Sequence, residues 1–224
     1  MPTRPPVYRD SHGRTLEDYP RPSVAVDTAV LTVDDSRLSV LLTLTNDAAR
    51  DGGDQWRLPG TFLHPDETLS DAVLRSLQAK AGLAGLRPRQ LGVFDAPDRD
   101  SRGWVLSVAH LDAVPADRIP RIARVQLAPV DELPALQYDH AAIVQVAVAA
   151  LQADYRRLPD PGGLLPDRPF TIRDLRLLHQ QVLGERLVAD TFRRTMLPGL
   201  RATGELRRGA RGKPAELYLN DADR

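Results

Sequence analysis

Apolar positions along the chain change period several times, and each change marks an element. Residues 23–33 and 38–44 are dense in aliphatic and β-branched side chains, and Asp34, Asp35, Ser36 and Arg37 between them have turn chemistry. That pattern predicts a β-hairpin. Residues 46–54 are Gly/Asp-rich and read as a loop, after which Leu69, Val73 and Leu77 recur at helical spacing. Thr68, with Asp71 three positions on, supplies a capping box for that helix. Residues 90–94, 104–111 and 125–130 predict three further strands, and the Ala/Val-rich stretch 139–155 predicts a second helix. Mixed strands with one internal and one terminal helix predict an α/β/α sandwich for residues 23–158, preceded by a proline-rich, irregular arm over 1–22.

A second unit follows. Residues 156–168 carry three prolines and two glycines, the composition of a linker, placed at 159–168. Thr171 and Asp174 repeat the capping pattern, and the helix they open turns Leu175, Leu178 and Val182 to its inner side. Gly184 makes a turn, and residues 187–197 form a helix that Pro198 stops. Two short strands, 201–207 and 215–219, enclose a basic Gly-rich loop. Helix, turn, helix and basic hairpin predict a winged helix-turn-helix over 169–224, so the chain as a whole is α+β with two domains.

Charge sharpens this picture. The 30 basic and 30 acidic residues cancel, but residues 186–213 hold 8 basic against 2 acidic. A cationic patch at one end of a neutral chain points to an anionic partner. There is no cysteine, which excludes disulfides and thiol nucleophiles. The charged, proline-rich start lacks a signal-peptide core, and no run approaches the ~20 apolar residues of a membrane span. A cytoplasmic protein with no membrane partner is expected.

The most informative stretch is 56–83, WRLPGTFLHPDETLSDAVLRSLQAKAGL. It resembles the Nudix box, G-x5-E-x7-R-E-U-x-E-E-x-G-U with U a bulky aliphatic residue, laid over residues 61–83. Glu67, Arg75, Leu77, Gly82 and Leu83 fall in register, while Thr61 replaces the first glycine. Ser76, Ala79 and Lys80 stand where that family gathers glutamates on one helix face to hold Mg²⁺. The box is therefore degenerate, and hydrolysis is not expected.

A Nudix-like domain followed by a winged helix resembles the Nudix-related transcriptional regulators of NAD metabolism, the NrtR family. Residues 24–27, 97–103, 138–140 and the carboxy-terminal RGKPAELY are similar to segments of that family. The resemblance implies a homodimeric repressor that binds a double-stranded DNA operator and releases it on binding ADP-ribose or a related nucleotide or sugar phosphate. No cofactor is required on this reading. Arg57, Arg75, Lys80 and Arg99 are the candidate phosphate ligands, Phe62 a stacking surface and Asp98 a ribose acceptor. The Glu67–Arg75 pair would brace its loop with or without a ligand. His140 reads as a hydrogen-bonded structural residue, and Asp131, Glu132 and Asp139 leave a stray metal site open.

For DNA, Thr191, Arg193 and Arg194 lie on the second helix of the winged domain, and Arg207, Arg208, Arg211 and Lys213 along its wing. Such groups bind phosphates by charge, and Arg-Gly-Lys-Pro fits a narrow minor groove. Phe192 and Leu197 read as core. Two other classes stay open: a Nudix hydrolase acting on a nucleoside diphosphate derivative with non-standard metal ligands, and an interaction scaffold that binds neither nucleotide nor DNA.

Overall fold

The computed structural model describes residues 8–45, 55–165, 169–208 and 213–221. The predicted hairpin forms from β1 (Ser23–Asp34) and β2 (Arg37–Thr45). Its turn residues Asp35 and Ser36 both take positive φ, 45° and 66°, the left-handed pair that a two-residue hairpin loop needs. Next come β3 (Gln55–Arg57), β4 (Gly60–Phe62), α1 (Leu69–Ala81), β5 (Arg89–Phe94), β6 (Val105–Ala113), β7 (Val125–Pro129) and α2 (His140–Tyr155). The short β3 and β4 were not predicted, because three residues carry no legible period.

β1 is the spine of the sheet. It runs parallel to β6 from Ser23↔Val105 to Leu31↔Ala113, and antiparallel to β2 from Leu31↔Val40 to the turn. Beyond that point the two hairpin strands part. β4 takes over the free edge of β1 at residues 25–27, β3 takes over that of β2 at 43–45, and Leu58 and Pro59 cross between them. The parting leaves room for a cleft.

Helices cover both faces, so the central strands are apolar on both sides. Val26 and Val30 of β1 pack with Val73 and Leu77 of α1, while Ala29 and Leu31 pack with Ile143, Ala147 and Leu151 of α2. Thr68 and Asp71 cap α1 reciprocally, as predicted, and Gly82 closes it in the left-handed conformation.

The second domain has β8 (Phe170–Thr171), α3 (Ile172–Leu183), α4 (Ala189–Met196), β9 (Leu200–Arg207) and β10 (Ala215–Asn220), with strand order β8-β10-β9. Phe170, Leu175, Phe192, Met196 and Tyr218 form its core, and Leu197 packs against it. Two features differ from the sequence reading. The stripe on α3 is split: Leu175 serves this core, whereas Leu178 and Val182 join Leu151, Tyr155 and Leu164 in the core of the first domain. The described part of the expected linker is packed as well. Pro159 and Asp160 are buried, and the Asp160 carboxylate accepts bonds from the Tyr155 hydroxyl at 2.5 Å and from the Leu164 and Leu165 amides at 3.0 and 2.9 Å. Proline and glycine content alone did not reveal this, because one buried carboxylate binds enough backbone donors to hold the segment in place.

Candidate functional site

Where β1 and β2 part, a cleft of about 200 Å³ opens between β4, the last turn of α1, the β5–β6 loop and the start of α2. Its floor is Asp27, a carboxylate on an otherwise apolar strand. Asp27 accepts from the Ser107 hydroxyl at 2.6 Å, lies 3.3 Å from His140 Nε2 and 3.5 Å from Arg99 Nη2. Burial pushes its carboxyl up, but His140, Ser107 and Arg99 more than offset that and hold it at about 2. Nδ1 of His140 accepts from the Leu58 amide at 3.0 Å, so the ring proton is on Nε2, facing Asp27. Gly60 has to be glycine here, since a Cβ would stand 1.9 Å from Asp27 Oδ1 and 2.8 Å from the Val26 carbonyl.

Three cations ring the opening: Arg57, Lys80 and Arg102. The Lys80 ammonium donates to the Gly60 carbonyl. Burial, then the charges of Arg57, Arg75 and Arg102, push Lys80 down to about 8 against the pull of Asp27. The Arg57 Nε is buried without a hydrogen-bond partner among the described residues. Arg102 lies between the Phe62 and Tyr138 rings, 5.1 and 5.3 Å from their centroids, and pairs with Asp100 at 2.6 Å. Tyr138 has φ 56°, a conformation rare for a bulky residue and found mostly where surrounding structure imposes it. Such a pocket suits an anion attached to a flat ring system.

Of the residues singled out in the sequence, Arg57, Phe62, Lys80 and Arg99 line this cleft. Arg99 is a brace in its wall: its guanidinium is buried and bonds Asp139 at 3.0 and 2.7 Å as well as approaching Asp27. One face of Phe62 is already covered by Arg102. Arg75 holds Glu67 through two bonds of 2.7 and 2.8 Å and also reaches the Phe62 carbonyl and the Thr61 hydroxyl, which is the bracing role read from the sequence. Asp98 is exposed and outside the cleft; Asp100, two residues on, is the carboxylate of that loop that faces it. Asp131 and Glu132 are taken up by Arg37, whereas Asp139 pairs with Arg99. Asp27, Arg102 and Tyr138 were not named as site residues. Their signal was an isolated acid in an aliphatic strand, and membership in the segments 97–103 and 138–140.

A larger, more open groove of about 480 Å³ lies between the β1–β2 turn and the end of α3. Its Arg37 is already bonded to two carboxylates, and the remaining polar lining mixes three glutamines with Glu185 and Arg186. It lacks the convergent cations of the smaller cleft.

On the winged domain, Thr191, Arg193 and Arg194 are exposed on α4 while Phe192 and Met196 point inward. Arg193 reaches the Tyr218 hydroxyl at 3.4 Å. Arg208 and Lys213 are exposed at the two roots of the wing, and Arg211 lies outside the described residues. Arg207 is differently placed: it bonds Asp174 at 2.7 Å and the Pro169 carbonyl at 3.1 Å, tying the wing to the capped start of α3.

The sheet between helices, with this cleft, and the attached winged helix define a Nudix-type domain joined to a DNA-binding module. The chain belongs to the Nudix family, whose domain it matches over residues 22–147, and residues 161–219 match the NrtR DNA-binding winged helix domain. It shares the domain organisation of the NrtR regulators. The ADPR responsive transcriptional repressor NtrR of Acinetobacter baylyi is 28% identical over 222 residues, covering 92% of this chain and 86% of that protein. The structure of Shewanella oneidensis NrtR complexed with a 27mer DNA superposes with TM-score 0.73 at 29% identity, covering 89% of this chain and 94% of that one. The NUDIX domain of the same protein complexed with ADP ribose gives TM-score 0.52 at 25% identity, covering 62% of this chain and 95% of that one.

Nudix chemistry implies Mg²⁺, which is bound through oxygen ligands. The residues here do not fit it. At the positions of the motif glutamates, Ser76 is buried with no hydrogen-bond partner for its hydroxyl among the described residues, Ala79 is an exposed methyl, and Lys80 is an ammonium bonded to a backbone carbonyl. Among the described residues no group of three or more His, Asp or Glu is placed to hold a metal ion. No helix described is long and apolar enough to cross a membrane.

Proposed function

We propose that this protein is a DNA-binding transcriptional repressor whose cleft senses ADP-ribose, or a related nucleotide or sugar phosphate, without hydrolysing it. The observation that carries the reading is the cleft itself: Arg57, Lys80 and Arg102 converge beside Phe62 and Tyr138 on a helix face that has exchanged carboxylates for an ammonium. A site so charged holds a phosphate ester and lacks the ligands that would activate water against it. The relatives support the same pairing of ligand and DNA, since one is described as an ADPR responsive repressor and NrtR has been seen both with DNA and with ADP ribose.

On this reading the winged helix binds as a homodimer to a two-fold operator in the cytoplasm, with α4 in the major groove and the wing on the backbone or minor groove. Control of NAD metabolism is the regulatory role that the family resemblance implies, and no cofactor is needed. The test is fluorescence anisotropy of the intact protein on DNA from upstream of its own coding sequence, titrated with ADP-ribose, alongside chromatography for AMP release with Mg²⁺ or Mn²⁺. Release of DNA without AMP formation supports the reading. Metal-dependent turnover that disappears in Glu67→Gln makes the protein a Nudix hydrolase instead. DNA binding indifferent to every nucleotide tried removes the sensor.

A further inference from the structure

Resting on the reading of the cleft as a nucleotide site, we propose that the Lys80 ammonium takes the place of a divalent metal as counter-charge to the ligand's pyrophosphate, so that the protein binds diphosphate esters without metal. The argument begins from position. Lys80 stands on the one face of α1 that the Nudix frame turns toward the cleft, and its Nζ reaches across to the Gly60 carbonyl on β4. A carboxylate at that position would repel a diphosphate unless a cation lay between them. An ammonium attracts the diphosphate directly.

The surroundings strengthen the field. Arg57 from β3, Arg75 from α1 and Arg102 from the β5–β6 loop all bear on Lys80 against Asp27 from β1. Arg102 is paired with Asp100, which also lines the cleft, and Arg75 with Glu67, so the lining sets Arg57, Lys80, Arg99 and Arg102 against Asp27 and Asp100. Asp27 is already engaged by Ser107, His140 and Arg99 at the floor. The cleft therefore presents a surplus of positive charge that an entering dianion neutralises.

That surplus also bears on the proton. Burial and the three guanidinium groups push Lys80 down to about 8, so some of the protein carries it neutral in mildly alkaline solution. A bound anion restores the ordinary preference for the charged form, and binding takes up a proton. Guanidinium groups keep their protons in this range and Asp27 titrates far below it. His140 also lines the cleft, held by the Leu58 amide and Asp27, so comparison with a Lys80 variant is what assigns the proton to Lys80.

Isothermal titration calorimetry on the intact chain tests this, with ADP-ribose and inorganic pyrophosphate as probes, in EDTA and in millimolar Mg²⁺, for wild type, Lys80→Gln and Lys80→Glu. EDTA should leave wild-type affinity within about twofold, while Lys80→Gln should lose about tenfold or more, or roughly one step on the affinity scale. With ADP-ribose, whose diphosphate diester stays fully ionised in this range, affinity should fall with pH above the Lys80 midpoint, and heats in buffers of different ionisation enthalpy should report proton uptake that Lys80→Gln lacks. Lys80→Glu should bind only with Mg²⁺. Wild-type affinity that needs Mg²⁺, or a folded Lys80→Gln variant that binds and takes up protons as wild type does, overturns the inference. Lys80-dependent binding of pyrophosphate with no preference for ADP-ribose keeps the counter-charge and removes the ADP-ribose reading. If neither probe binds, both fall.

Discussion

The His179 ring of α3 stands edge-on to the Tyr155 ring of α2, with centroids 5.0 Å apart and planes at 71°. Its other side meets Phe192, the buried anchor of α4, at 4.8 Å, and its Nε2 donates to the Pro159 carbonyl. The last turn of α2, the segment joining the domains and the helix carrying Arg193 and Arg194 thus share one buried imidazole. Ligand and DNA can change each other's affinity only through such a physical link, and by equal factors.

His179 should therefore make the protein acid-sensitive. Burial lowers its proton affinity, only partly opposed by the Pro159 and Tyr155 carbonyls. The unfolded chain then binds a proton more readily than the native one, so this contribution is complete above the ordinary histidine value of 6.5 and is lost as pH falls through it toward the lowered native value. Urea unfolding of wild type and His179→Gln across that range should show a slope difference confined to it; parallel curves would show that His179 is not the group responsible.

Leu178→Ala should destabilise the whole chain by about 2–5 kcal/mol, the usual cost of emptying a buried leucine site, although it lies in the winged domain. Tryptophan fluorescence, which reports the first domain, and circular dichroism should shift together in urea. A fragment beginning at residue 166 exposes Leu178, Val182 and His179, and should fold poorly alone. Separate transitions for the two domains would contradict the shared core.

Arg99→Ala should cost about 3–5 kcal/mol, because it leaves Asp27 and Asp139 buried or half-buried without their cation. Arg99→Met combined with Asp139→Ala should recover part of the loss. Chemical denaturation of Arg99→Met, Asp139→Ala and the double variant measures the coupling, and additivity would mean that the pair is not coupled.

On DNA, Arg194→Ala and Lys213→Ala should each reduce the slope of log affinity against log salt by about 0.9 if each neutralises one phosphate. Arg207→Ala should leave that slope unchanged and lower the melting temperature, since its charge is held by Asp174. Anisotropy titrations over a range of salt separate the two behaviours. A changed slope in Arg207→Ala would return that residue to the interface.

Much of the fold was legible in the sequence because its signals are local. The Thr68–Asp71 and Thr171–Asp174 capping boxes close over three residues, the β1–β2 turn lies within Asp34 to Arg37, and aliphatic runs mark strands covered on both faces. The degenerate Nudix frame was legible for the same reason: Glu67, Arg75 and Lys80 sit on one loop and helix, and the Glu67–Arg75 pair formed as read. Only the tertiary structure decided how Asp27 meets Ser107, 80 residues away, and Arg99, 72 away, or that Asp139 claims Arg99 across 40. It also decided that α3 divides its apolar stripe between two cores and that Arg207 braces Asp174. Periodicity and capping are settled by neighbours within a few residues of each other. Pairing of buried charges depends on where distant segments return, and a guanidinium looks the same in the sequence whether it awaits a phosphate or already holds a carboxylate.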